Sequence, residues 1–150
     1  MKKRRRSVVL LMCVLVLSAC SREPARNTNL AASVFDVIVQ ADEREAFFCA
    51  FMLKDAEFND TANNGTVTME IRDREGVIFS LTWAATEERF RYLEVTKGER
   101  SEQRLVYGVD RFEYSRFSRE PIGDIGLVII VFDNGTSVMK GYGHLLFEHH

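Results

Sequence analysis

The sequence predicts an α+β fold, with one long N-terminal helix packed on an antiparallel sheet of about six strands. Two observations carry this expectation. Apolar residues at Leu30, Val34, Val37, Ile38, Ala41, Phe48, Phe51 and Phe58 recur in three- and four-residue steps, with no Gly or Pro between them. After Gly65 the period changes to two: Val67, Met69 and Ile71 alternate with Thr68, Glu70 and Arg72.

The expected elements follow in chain order. A continuous helix over 30–58 is about 44 Å long. Asp42 with Glu45 three residues on reads as a capping box before Ala46-Phe47-Phe48, so the helix is either continuous or broken near Asp42. Asn59 to Gly65 reads as a polar loop. Val67–Ile71 and Val77–Trp83, joined at Asp73-Arg74-Glu75-Gly76, read as a half-buried hairpin with one wet face. A third strand falls within Arg89–Thr96, and a polar loop is expected over Lys97–Gln103. Arg104–Phe117 reads as a long strand with a bulge at Gly108. Leu127–Phe132 is continuously apolar and reads as a central strand covered on both faces. Asn134-Gly135 signals a type I′ turn, and the last strand runs from Thr136 towards Phe147. Gly141 and Gly143 would bend that strand or leave room for a close neighbour.

Composition narrows the function. The 150 residues are 46% hydrophobic and 28% charged, which suits one globular domain and excludes collagen-like and Pro-rich classes. The charge is unevenly placed. Five of 20 basic residues and none of 22 acidic ones precede Cys20, so the remainder carries a net charge of −7. That acidity argues against nucleic acid as a partner. Arginines and aromatics interleave between Arg89 and Arg119, but Glu94, Glu102, Asp110 and Glu113 intervene, and salt-bridged strand faces are expected.

The first 19 residues read as a signal peptide. Lys2 to Arg6 form a basic head, Val8–Leu17 an apolar core, and Ser18-Ala19 a small-residue site. Ten apolar residues fall short of the roughly 18 that span a bilayer. Leu17-Ser18-Ala19-Cys20 resembles the lipobox of bacterial lipoproteins. The resemblance implies that Cys20 is acylated and becomes the first mature residue. Residues 20–29 then form the lipidated Cys and its tether, and 30–150 one domain. Ser21 stands where an Asp would resemble an inner-membrane retention signal, so the resemblance favours the periplasmic face of the outer membrane in a Gram-negative cell. Cys13 leaves with the signal. Cys49, among Phe47, Phe48, Phe51 and Met52, is expected to be a buried inert thiol.

Catalytic and ligand motifs are scarce. His144, His149 and His150 crowd the C-terminus, and no zinc-type spacing, G-x-S-x-G elbow or phosphate loop occurs. Glu87-Glu88 reads as a solvated turn. The sequons at Asn59, Asn64 and Asn134 read as turn chemistry. No enzyme, catalytic residue, metal or cofactor is therefore expected.

The mature half resembles the J-type minor pseudopilins of type II secretion and related minor pilins. Phe47 to Asp55 is similar to the end of their helix. Phe79-Ser80-Leu81-Thr82-Trp83 and Arg89-Phe90-Arg91-Tyr92-Leu93 are similar to their paired strands. Leu105-Val106-Tyr107-Gly108-Val109 with Phe112-Glu113-Tyr114 resembles their Gly-Val segment, and Pro121 with Leu127–Phe132 and Asn134-Gly135 their closing hairpin. Those proteins begin with a prepilin cleavage site and a long apolar helix, where this chain has a lipobox. The resemblance thus implies a non-enzymatic, protein-binding envelope domain rather than a filament subunit. The alternative is a lipid- or small-ligand-binding carrier lipoprotein, with an apolar cavity between helix and sheet.

Overall fold

The computed structural model describes residues 24–42 and 45–147, and its architecture is a sandwich of two antiparallel sheets. The strands are β1 (Ala31–Asp42), β2 (Ala46–Asp55), β3 (Asp60–Thr61), β4 (Gly65–Asp73), β5 (Gly76–Ala85), β6 (Phe90–Lys97), β7 (Arg100–Glu113), β8 (Ile125–Asp133) and β9 (Val138–Leu146). One sheet has the order β1-β2-β7-β6, with β3 paired to β2, and the other β5-β4-β8-β9. Two short 3₁₀ turns, Glu87–Arg89 and Tyr114–Arg116, supply the helical geometry among the described residues.

The expected long N-terminal helix is therefore wrong, and the fold is all-β. Leu30–Phe58 holds the β1–β2 hairpin, with Val34 opposite Leu53 and Val39 opposite Cys49. The physical reason lies in β2. Ala46 to Asp55 is buried almost throughout, on both faces. A continuous apolar run satisfies a period of 3.6 as readily as that of a fully covered strand. The β-branched residues Val34, Val37, Ile38 and Val39 favour the strand. Asp42 caps no helix; its carbonyl accepts the Glu45 amide at 3.2 Å in the hairpin turn. The segment likened to the end of a pseudopilin helix is strand β2.

Both faces of β2 find cover. Phe47, Cys49, Phe51 and Leu53 face the other sheet. Phe51 stacks on Tyr107 with ring centroids 4.9 Å apart, and Phe47 meets Phe79 of the opposite sheet edge-on at 6.3 Å. Ala50 and Met52 point the other way and form a second small core with Val106, flanked by Ile38 and Val95. The sheet curls over this second core. Lys97 of β6 and Asp36 of β1 belong to strands at opposite ends of the sheet order, yet they form an ion pair. β1 follows the curl through a bulge between Phe35 and Ile38, where Asp36 takes φ 47°.

Other expectations meet mixed outcomes. The hairpin at Asp73–Gly76 is present, with φ +138° at Gly76. The bulge at Gly108 is present too: between the pairs Cys49–Asp110 and Phe51–Tyr107, β2 has one residue, Ala50, and β7 has two, Gly108 and Val109. Lys97–Gln103 is not a loop, because β6 and β7 pair up to Lys97 and Arg100 around Gly98 at φ +60°. The type I′ turn is absent. Asp133 pairs with Val138 around a longer loop, in which the Asn134 side chain accepts the Thr136 and Ser137 amides. β8 is central but covered fully on one face only: Val128, Ile130 and Phe132 are buried, while Leu127, Ile129 and Val131 are half-buried. Gly141 and Gly143 do admit a close neighbour. A Cβ on Gly141 would lie 2.4 Å from Val34 Cγ1, so β1 packs directly on β9.

Candidate functional site

The residue singled out for lipidation, Cys20, lies outside the described residues, as do the signal peptide, His149 and His150. What the fold places is the chain that follows Cys20. Asn27 Nδ2 donates to Asp55 Oδ2 at 3.0 Å and to the Asp60 carbonyl at 2.8 Å. The Asn27 carbonyl accepts the Ala62 amide at 2.9 Å, and Asn29 Nδ2 donates to Asp55 Oδ2 at 3.2 Å. Tyr92 Oη donates to the Ala25 carbonyl, and Arg26 donates to that of Glu87. Most of the tether segment from Ala25 to Asn29 is thus fastened to the sandwich rather than held away from it.

Two carboxylates anchor this end. Asp55 accepts the amides of Asn59 and Glu57 as well as both asparagine side chains. The Asn59 amide, chiefly, holds its pKa below the usual carboxylate value against the opposing cost of burial. Asp60 meets Arg104 at 2.8 Å and Lys54 at 2.8 Å. Burial raises its pKa, but hydrogen bonds from Arg104, Lys54 and the Leu105 amide outweigh that and lower it to about 2. The Lys54 ammonium also lies 4.8 Å from the Phe58 ring, which is itself exposed.

The outer face of the β5-β4-β8-β9 sheet gathers several exposed apolar residues. Ile125, Val138, Tyr142 and Leu146 are each more than half exposed, and half-buried Leu127, Ile129 and Val131 join them across β8. Cross-strand pairing sets Ile125 beside Leu146 and Ile129 beside Tyr142. His144 stands exposed in the same strand, opposite Leu127. Sequence reasoning missed this face because it took β8 as covered on both sides. The available signal was the alternation Val138, Lys140, Tyr142, His144, Leu146, which puts large apolar groups on the wet side of an edge strand.

The remaining candidates are structural. Cys49 is buried between the sheets, and burial, aided by the Asp110 charge, pushes its thiol up to about 12. Arg89 pairs with Asp110, and Phe90 and Phe112 are buried, so those two rings of the Arg-aromatic segment are closed to base stacking. Asn64 accepts the Glu87 amide through its side chain, and Asn59 closes the β2–β3 turn. Among the described residues no cluster of His, Cys, Asp and Glu could hold a metal ion, and no helix is long and apolar enough to cross a membrane. No protein-family model, curated protein or solved structure matches the chain.

Proposed function

We propose that this protein is a lipid-anchored lipoprotein of the bacterial cell envelope, whose β-sandwich domain binds another envelope protein and performs no catalysis. Cys20 carries the lipid. The observation that carries the binding half of this reading is the apolar row Ile125, Tyr142 and Leu146 on the outer face of β8 and β9. Exposed apolar side chains gathered on one sheet face, with polar residues around them, suit a protein interface. The anchor half rests on the Leu17-Ser18-Ala19-Cys20 resemblance.

The geometry adds a distance. Ala25 is already fastened to Tyr92. Five residue steps from Cys20 to Ala25 reach about 18 Å when fully extended. The domain therefore rides close to its membrane, and its partner must come to that surface. The carrier reading required a cavity between helix and sheet. Side chains such as Phe47, Phe51, Tyr107 and Phe132 occupy the space between the two sheets, which favours the binding role over the carrier role.

The test is a photo-crosslinking residue in place of Tyr142, in the full-length chain in its own envelope. The expected result is one discrete adduct with an envelope protein. The same probe in place of Glu99, exposed in the β6–β7 turn, should give none. Lipid as the only adduct at Tyr142 would overturn the reading in favour of a carrier.

A further inference from the structure

The two long sides of the sandwich differ. On one side the sheets converge, with Val34 and Val37 of β1 set against Gly141 of β9. On the other side they stay apart, and the inward-facing Leu81 and Trp83 of β5 and Tyr92 of β6 remain only half-buried. β5 is the last strand of its sheet there, pairing with β4 alone among the described residues.

An open strand edge is a template for pairing, and proteins guard such edges with charges, prolines or short strands. β6 is guarded, with Arg91, Glu94 and Lys97 along it. β5 is not: from Val77 to Thr86 it holds no charged residue and no proline. Its outward side chains Ser80, Thr82 and Ala84 are small and exposed. Both ends of this stretch are already taken. The Ile78 carbonyl accepts the Ser118 amide at 2.8 Å, and the Glu87 carbonyl accepts Arg26 at 2.7 Å. The open edge is therefore Phe79–Ala85, with Thr82 at its centre.

We propose that β5 pairs with β5 of a second copy of this chain, antiparallel, about a two-fold axis through Thr82. Directly opposed residues of an antiparallel pair share a face. This register sets Ser80 opposite Ala84 and Thr82 opposite Thr82 on the outer side. On the inner side it sets Leu81 opposite Trp83, so the two half-buried side chains cover one another. No charge meets a like charge within the paired stretch. Beyond it, the same register carries Glu75 of one copy towards Arg89 of the other, which is opposite in sign. The two four-stranded sheets then join as one, and the interface is isologous and closed. The pairing does not depend on acylation of Cys20.

The test uses the full-length chain in its membrane with Thr82→Cys. Opposed Cα atoms in an antiparallel pair lie about 4.5–5.5 Å apart, within the range a disulfide bridges. Under oxidising conditions the variant should run as a covalent dimer, reversed by reductant. Wild type, with Cys49 buried, and Tyr142→Cys should not. Independently, light scattering of the wild-type chain in detergent should give a dimer, and Thr82→Lys a monomer with an unchanged circular dichroism spectrum. A monomeric wild type would overturn the proposal. So would Thr82→Cys joined to a protein of different mass, which would make the edge a site for a foreign strand.

Discussion

Asp73 shows how single carboxylates hold this molecule together. Its Oδ2 accepts Arg119 and the Ile122 amide, while its Oδ1 accepts Arg119 and the Glu75 and Gly76 amides. Arg119, above all, holds its pKa well below the ordinary carboxylate value. Asp55 and Asp60 are lowered in the same direction. A carboxylate with a depressed folded pKa stabilises the fold above its unfolded value, and that contribution is lost as pH falls through the folded value. Thermal melts are therefore expected to be flat down to about pH 4 and to fall steeply towards about pH 2, where Asp60 protonates. Asp60→Asn should melt lower at neutral pH and lose part of that acid slope; an unchanged slope would exclude Asp60 as its source. Gly141 acts at the same scale. Gly141→Ala drives its methyl into Val34 and is expected to cost about 1–3 kcal/mol by denaturant titration. Gly135→Ala meets no atom but must adopt φ +85°, so its cost is conformational rather than steric.

At the scale of elements, the second half of the chain was legible and the first was not. β4 and β5 alternate apolar and polar residues against a wet outer face, so a period of two stands out, and the Gly108 bulge of β7 is marked by its glycine. β2 is covered on both faces, which erases the alternation. The outer apolar row was illegible for the same reason in reverse: the run Leu127–Phe132 conceals that only its even members enter the core. The open β5 edge depends on which strands are neighbours, and local pattern does not encode that. Two measurements follow. Far-UV circular dichroism of the folded chain should show strand and no helical double minimum; a strong helical signal would contradict the β1–β2 hairpin. Phe51→Ala, which removes a ring stacked on Tyr107 and set against Phe90 and Phe132, should cost about 3–5 kcal/mol.

For the whole molecule, the proposals give three surfaces separate roles in one arrangement. In the proposed arrangement, the fastened segment from Ala25 to Asn29 would keep the sandwich near its lipid, the outer face of β8 and β9 would meet an envelope partner, and the β5 edge would meet a second copy. The net charge of −7 after Cys20 argues against anionic lipid or nucleic acid as a partner of the rest of the surface. All of this presumes that the chain reaches the membrane through Cys20. Mass spectrometry of the N-terminal peptide, taken from protein extracted from its own membrane, tests that claim most directly. The account predicts a peptide beginning at Cys20, with a diacylglyceryl group on its sulfur. A peptide that begins elsewhere, or an unmodified Cys20 in membrane-bound protein, would contradict it.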